Sequence, residues 1–294
     1  MKLMSMKRFA PLFLAGLLFV ASCQKDKSDA EPQISEQEAE EHTLETMETD
    51  ASLDDVMDIV MTAAGEEALA SAGKPGTAGK PFPFLLLKLR IGLKATITVT
   101  PDDGSYPKTV TIDFGGGDNC PDGRFRKGKI VIHFTAPVTE PGAVVTATLE
   151  DFQVGRLKIV GTKVITNLSE NGTVKFSVEV KDAAVIWPNG KTHTYEKLKY
   201  ITQIAGAATD DISDDVYSIE GAAKSVFKNG LSVVIATEEA LIKKVNCPWI
   251  SDGVLSVKAR NHEFTVNYAY PADGDCDNKA LLTWRGKERI VVLP

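Results

Sequence analysis

A period-two alternation of apolar and polar side chains, beginning near Phe84, constrains the fold more than any other feature of this sequence. The alternation is clearest in residues 109–114, 174–181 and 264–270, where valine, isoleucine, phenylalanine and tyrosine recur at every second position. Successive side chains of a β-strand point to opposite faces, so each run predicts a strand with one buried face. Residues 82–294 are therefore predicted to form a β-rich body.

Turn signals separate these runs. Three Asn-Gly pairs, at residues 171–172, 189–190 and 229–230, fall between β-rich segments, and Asn-Gly suits the positive φ of tight hairpin turns. No helical pattern in the body is long enough to connect parallel strands. The predicted fold class is all-β and mainly antiparallel, either a β-sandwich or one strongly curved sheet.

A faint internal repeat suggests two related lobes. Residues 110–132 read as a strand, an acidic loop with Cys120, an Arg/Lys-Gly turn and a second strand. Residues 266–292 repeat this order around Cys276, with a spacing that differs by two residues. Duplication is one interpretation, and independent hairpins are the other.

One short N-terminal helix is predicted before the body. Ser52 offers a capping hydroxyl, and the apolar residues after it recur at helical spacing as far as Met61. The helix is expected over residues 52–64, and a Gly/Pro-rich linker completes the segment 52–81.

Residues 1–22 have the pattern of a secretory signal peptide. Three basic residues precede a short apolar run, and small residues precede Cys23. The alternative, a membrane-spanning anchor, would need about 20 apolar residues, and this run has barely a dozen. Residues 20–23, Val-Ala-Ser-Cys, resemble the bacterial lipobox, which implies lipidation of Cys23 by acyl chains such as palmitate. The alternative is a buried or disulfide-bonded cysteine.

An acidic segment follows Cys23. Residues 24–58 contain 13 acidic side chains and two lysines, so residues 23–51 are predicted to be a disordered, lipidated tether. Residues 24–29, Gln-Lys-Asp-Lys-Ser-Asp, resemble the signals that direct lipoproteins of Bacteroidota to the cell surface. We expect an outer-membrane lipoprotein, with display on the cell surface favoured over the periplasmic face.

Four segments of the body resemble a family of β-rich Bacteroidota lipoproteins that has no assigned activity. They are residues 106–115, 122–130, 161–167 and 274–278. The resemblance implies that the protein is located at the outer membrane and has a β-rich fold. The family often has a further cysteine near the strand at residues 94–97, and this chain has none there, so the resemblance implies no partner for Cys120.

Three cysteines remain in the body. Cys247 and Cys276 lie on either side of a predicted hairpin whose turn is near residues 260–262, so they form a candidate disulfide, and Cys120 would then be free. The alternative is three buried thiols.

The sequence contains no motif that commits it to a chemistry. We predict no catalytic, cofactor-binding or metal-binding residues, because the four histidines are isolated and no nucleophile elbow or phosphate loop is present. Acidic loops at residues 113–119 and 273–278 are spaced somewhat like calcium ligands, but these residue types are also ordinary in turns. The near-neutral body argues against nucleic acid, and its densest basic run, residues 124–129, is interpreted as a hairpin turn.

Two functions are compatible with these features. The first is a non-catalytic binding or interaction module on the cell surface or in the periplasm, with a glycan or protein ligand. The second is a hydrolase or lyase of envelope or host glycans, with Asp113, Asp273 and Asp275 as candidate acid and base. The three tryptophans, Trp187, Trp249 and Trp284, would then stack on sugar rings or pack in the core.

The lipidation hypothesis has a direct test. Replacing Cys23 with alanine removes the acylation site, so the protein is expected to leave the membrane fraction. Fractionation of cells and immunoblotting measure this. A Cys23→Ala protein that still sediments with outer membranes contradicts the hypothesis.

Overall fold

The computed structural model describes residues 34–71, 84–209, 211–271 and 274–293. The predicted signal peptide, Cys23, the start of the tether and most of the Gly/Pro linker lie outside these ranges. The helices are α1 (Glu36–Ser71) and α2 (Leu85–Ile91), and a 3-10 turn covers Ile212–Asp214. The strands are β1 (Thr96–Thr100), β2 (Lys108–Asp113), β3 (Asp118–Asn119), β4 (Phe125–Phe134), β5 (Val144–Val154), β6 (Leu157–Asn167), β7 (Lys175–Ile186), β8 (Thr192–Ala205), β9 (Val216–Phe227), β10 (Ser232–Lys244), β11 (Asp252–Ala259), β12 (His262–Asn267), β13 (Lys279–Trp284) and β14 (Lys287–Val292).

These strands form one antiparallel sheet in the described part of the chain. Its order is β1-β2-β4 and then each strand in sequence to β14, with β3 paired to β4. The three Asn-Gly pairs join β6 to β7, β7 to β8 and β9 to β10, and each glycine has φ of 78° or 79°. The predicted all-β, mainly antiparallel fold class is confirmed.

A row of β-bulges bends the sheet. The pairing register shifts at corresponding heights in β4–β5, β5–β6, β6–β7 and β7–β8. Gly161, at φ 139°, lies at one shift, and a Cβ there would approach the Cα of Ala183 to 2.7 Å. Bulges increase local twist, and residues near β4 and in β14, such as Arg124 and Val292, line the same cavity. The sheet is therefore strongly curved.

Two apolar clusters lie between the sheet and α1. The larger one combines Leu53, Val56 and Val60 of α1 with inward-facing residues mainly of β2 and β4–β8. The smaller one combines Ala39 with inward-facing residues of β9–β13. Helix α1 thus contributes to both cores, and residues 34–294 form one compact unit that contains them.

The extent of α1 corrects two predictions. The helix has 36 residues rather than the short span 52–64, and it includes residues 36–50, which were predicted to be disordered. The disorder argument failed because it considered only the apolar surface that the segment itself could bury. In the structure Thr43, Thr46 and Thr49 are completely buried, and acidic side chains of the segment are paired with cations of the body.

The faint repeat is not matched by strand pairing. In the first copy the two flanking strands, β2 and β4, pair with each other. In the second copy β12 pairs with β13, and β14 pairs only with the far side of β13. Residues 110–132 and 266–292 are therefore different arrangements of strands.

Within the described ranges, neither helix is both long enough and apolar enough to cross a bilayer. Helix α1 has the length, but it contains 12 acidic side chains, and α2 has only seven residues.

Deletion of residues 36–50 tests the role of the N-terminal half of α1. We expect the deletion to abolish cooperative thermal unfolding, because it removes buried threonines and the partners of several cations. Circular dichroism during heating measures this, with Glu41→Ala, which removes one exposed ion pair, as the control. A deletion variant that melts like the full chain would restore the view of this segment as a tether.

Candidate binding site at the interface of α1 and the sheet

Helix α1 has an unusual charge composition. Its 12 acidic side chains are accompanied by no lysine or arginine, and a helix of this kind repels itself unless cations are supplied from elsewhere. Ten of the 12 lie within 4.0 Å of a lysine or arginine of the body: Glu36, Glu40, Glu41, Glu45, Glu48, Asp50, Asp54, Asp55, Asp58 and Glu67.

The pairing follows the strand order of the sheet. Near its N-terminus α1 pairs with β14 through Glu36 and Lys287, and near its C-terminus it pairs with β2 through Glu67 and Lys108, at 2.9 Å. Contacts with β8, β6 and β4 lie between these two ends. The helix therefore crosses one face of the sheet, from one end of the strand order to the other.

Strand β8 supplies the centre of this interface. Its buried positions include His193, Tyr195, Lys197 and Lys199, whereas Leu198 is 44% exposed on the opposite face. The alternation of a strand is thus present, but polar residues occupy the inward side. The inward side of β8 is polar because it faces acidic side chains of α1.

Two carboxylates of α1 meet three ammonium groups. Lys197 Nζ donates to Asp50 at 2.5 Å and to Asp54 at 3.3 Å. Lys199 Nζ donates to Asp54 at 2.7 Å. Lys163 Nζ donates to the carbonyl oxygen of Leu53 at 2.5 Å and lies 3.9 Å from Asp54. We refer to Asp50, Asp54, Lys163, Lys197 and Lys199 as the central cluster.

Burial and mutual charge shift the pKa values in this cluster. Burial alone would raise the pKa of Asp54, but the three neighbouring ammonium groups outweigh it and hold the pKa well below its ordinary value. Burial lowers the pKa of Lys163 to about 7, because the attraction of Asp54 is offset by repulsion from Lys199 and Lys197. Lys163 therefore titrates near neutral pH.

A fully buried arginine forms a second ionic group. Arg126 and Asp55 both have fully buried side chains, and Arg126 Nη2 donates to Asp55 Oδ1 at 2.7 Å and to Asp122 Oδ2 at 2.7 Å. Arg90 of α2 also donates to Asp55, at 2.8 Å. Removing one partner would leave an uncompensated buried charge, which typically costs about 3–5 kcal/mol. These pairs fix the position of α1 against β4 and α2.

Two histidines belong to an aromatic contact rather than to a reactive site. The rings of His42 and His193 lie 4.1 Å and 4.8 Å from the ring of Phe227. Trp187 Nε1 donates to His193 Nδ1 at 3.2 Å, and His193 Nε2 is 3.1 Å from Thr49 Oγ1. Burial lowers the pKa of His193 to about 4, so it is neutral at pH 7.

A cavity of about 890 Å³ lies beside the central cluster. Lys197, Lys199, Asp50 and Asp54 form part of its wall, and Arg124 and Arg156 contribute further charge. Glu48, Asp55, Asp58, Asp122 and Lys243 also line it, and the remaining lining residues are mostly apolar. The apolar lining residues include Leu44, Met47, Met57, Met61, Ile201, Ile219, Ile235, Leu241, Trp249, Ile250, Leu255, Val291 and Leu293.

The candidate carboxylates belong to different elements of the sheet. Asp113 lies at the end of β2, where it accepts from the N–H of Gly115 at 2.7 Å and pairs with Lys129 at 3.2 Å. Asp275 is exposed in the loop between β12 and β13, and Asp273 lies outside the described residues. No hydrogen bond or ion pair joins Asp113 to Asp275 among the described side chains.

The two acidic loops have the contacts of turns. Asp113 closes a turn onto Gly115, and Asp118 pairs with Lys94 at 2.9 Å. In the later loop, Asp277 accepts from the N–H of Lys279 at 2.7 Å. No group of three or more metal-ligating side chains occurs in the described part of the chain.

The structure joins Cys247 to Cys276 by a disulfide, with Cα atoms 5.6 Å apart, and Cys120 is a buried free thiol. The hairpin between them turns at Arg260, and Ala259 pairs with His262. Burial raises the pKa of the Cys120 thiol.

The tryptophans have different surroundings. Trp187 is buried and bonded to His193. Trp284 Nε1 donates to Glu36 at 2.6 Å. Trp249 alone of the three lines the cavity, so the structure does not assemble a row of tryptophans for stacking on a glycan.

Sequence reasoning missed the central cluster and Arg126. The run at residues 124–129 was interpreted as a hairpin turn, but β4 begins at Phe125 and Arg126 is completely buried. Two signals were available: residues 36–71 contain acidic side chains and no lysine or arginine, and lysines occupy the alternate positions 197 and 199. Neither signal shows which face of a strand is buried.

No protein-family model, curated protein or solved structure matches this chain. A functional conclusion therefore depends on the geometry of the interface and cavity.

The titration of Lys163 predicts a pH dependence of stability. Its pKa is about 7 in the folded protein and about 10.4 in an unfolded chain. The unfolded state therefore binds the proton more tightly between these values, and the free energy of unfolding rises with pH across that window. Between pH 7 and pH 9 the contribution of this group is about 2 kcal/mol.

Urea unfolding at the two pH values measures the effect. The rise is expected to shrink in Lys163→Met and to persist in Lys181→Met, whose lysine is exposed on the outer face of neighbouring strand β7. An equal rise in all three proteins would show that Lys163 is not the titrating group.

Proposed function

We propose that this protein is a non-catalytic, lipid-anchored binding protein of the outer membrane, which holds an amphipathic small molecule between α1 and the curved sheet. The observation that carries the proposal is the cavity of about 890 Å³ beside the central cluster. Ligand pockets commonly have volumes of about 300–1,000 Å³ and combine an apolar lining with a few polar groups. This cavity fits that description.

The lining favours a ligand with an extended apolar part and a polar end. Apolar side chains from α1, β8–β11 and the residues around β14 form most of the wall, including three methionines, whose flexible side chains adapt to irregular shapes. The charged lining residues include Lys197, Lys199 and Asp54 of the central cluster, and others such as Arg124 and Arg156 lie elsewhere on the wall. Stacking on a glycan uses aromatic rings, and the aromatic residues of this wall are Trp249 and Tyr268.

The state of the charged groups supports binding rather than catalysis. General acid–base chemistry requires a group that can gain and lose a proton near the substrate. Asp50 and Asp54 are committed to ammonium groups, and Lys163, which titrates near neutral pH, is 1% exposed and does not line the cavity. Burial raises the pKa of Asp58, which also lines the cavity, but this carboxylate is paired with Arg90 at 3.4 Å, so the hydrolase alternative has less support than binding.

The proposed location on the outer membrane depends on the sequence. The signal-peptide pattern, the lipobox-like residues at Cys23 and the resemblance to Bacteroidota lipoproteins support an acylated chain on the outer membrane. Only 12 residues separate Cys23 from the start of α1 at Glu36, so an anchored body would be held close to the lipid surface. The cell-surface side remains the favoured side within this proposal.

Filling the cavity tests the binding function. Ala51 lies on the cavity wall in α1, and Ala51→Phe is expected to weaken binding of a fatty acid that carries a polarity-sensitive fluorophore by tenfold or more. Fluorescence titration measures the affinity. Thr62→Phe adds the same side chain to α1 outside the cavity and is expected to bind like the unmodified protein.

Thermal melting of each variant checks the fold, and Ile219→Trp provides a second filling variant from β9. Unmodified protein that fails to bind the fatty acid, or folded filling variants that bind it normally, would contradict the proposal.

A further inference from the structure

Helix α2 displays leucines to solvent. Leu85, Leu86, Leu89 and Leu93, in and just after this seven-residue helix, are 46%, 61%, 65% and 85% exposed. Four of the five leucines in residues 85–93 are thus exposed, and clustered exposed apolar residues are candidates for an interaction site. We refer to these four residues as the leucine patch.

The patch is held in place by the side of α2 that faces the body. Leu87 and Ile91 are buried in the larger core, and the N–H groups of Leu86 and Leu87 donate to the carboxylate of Glu66 at 3.0 Å and 3.1 Å. Arg90 donates to Asp55 of α1. The side of α2 away from the leucine patch is thus anchored to the body. The exposed leucines cannot turn inward without breaking these contacts.

The sequence around the patch is basic, although the carboxylates of Glu66 and Asp118 lie beside it in space. No acidic residue occurs between Glu67 and Asp102, whereas this stretch contains five basic residues, in a chain with an overall net charge of −7. Lys88 and Lys94 flank the leucines, and Lys94 pairs with Asp118 while remaining 80% exposed. Leucine on one side with lysine beside it is the composition of helices that lie in a membrane interface.

We propose that the leucine patch inserts into the interface of an anionic lipid bilayer, with Lys88 and Lys94 at the level of the lipid phosphates. This contact is separate from the lipid anchor proposed on Cys23 and does not depend on it. Because Arg90 contacts Asp55 and Asp58, which line the cavity, the bilayer contact lies next to the cavity.

A second copy of this chain fits the patch less well. Standard protein interfaces bury roughly 800 Å² on each partner, and four partly exposed leucines offer less than that area. A bilayer requires no matching partner surface, and its anionic head groups complement the flanking lysines.

Vesicle flotation tests the proposal with the full chain carrying Cys23→Ala, which removes the proposed acylation site. The probe is vesicles of phosphatidylcholine alone or mixed with phosphatidylglycerol. We expect binding to the mixed vesicles, at least tenfold weaker binding after replacement of all four leucines by serine, and about fivefold weaker binding for Lys88→Gln.

The matched control replaces four exposed apolar residues of the outer sheet face by threonine: Val160, Ile186, Leu198 and Val226. It is expected to bind as the unmodified protein does. Circular dichroism confirms folding, and Leu86→Ser alone provides a milder variant if the fourfold variant unfolds.

Three results would overturn the proposal. The first is folded, unmodified protein that binds neither kind of vesicle. The second is equal binding by the serine and threonine variants. The third is sedimentation of the unmodified protein as a dimer that the serine variant does not form, because this would assign the patch to a second copy of the chain.

Discussion

Pairing between an all-acidic helix and cations on the inner face of the sheet is the interaction on which the rest of this structure depends. Each partner alone would carry uncompensated charge: α1 has 12 acidic groups, and the sheet has Arg126, Lys163, Lys197 and Lys199 on its mostly apolar inner face. Burying charges is costly unless they are paired. Their pairing sets the position of the helix along the sheet, while the apolar residues of α1 provide most of the favourable burial.

The separation of apolar and charged contacts on α1 explains why a cavity exists. The apolar contacts of α1 are concentrated on β2 and β4–β8, at one side of the helix, where Leu53, Val56 and Val60 are completely or almost completely buried. On its other side α1 presents methionines and charged groups to a cavity, whose facing wall comes from β8–β11 and the residues around β14. The same helix is therefore part of the core and one wall of the proposed binding site.

Several elements were predictable because their causes are local. The alternation in residues 109–114 and 264–270 predicts strands, and Asn-Gly predicts hairpins, since backbone geometry depends on neighbouring residues. The extent of α1 was not predictable in this way. Residues 36–50 contain few apolar side chains, and their order comes from partners such as Arg156, Lys191 and Arg289, which are more than 100 positions away in sequence.

The sequence by itself determined the antiparallel β-rich body, the positions of the hairpin turns and the existence of a helical segment around residues 52–64, because periodicity and turn chemistry act over a few residues. Only the tertiary structure decided which face of each strand is buried. In β8 the alternation is equally compatible with either face, and Lys197 and Lys199 point inward only because Asp50 and Asp54 of a distant helix lie there. Ion pairs between residues that are distant in sequence leave no local pattern. These pairs determined both the position of the central cluster and the path of α1 across the sheet.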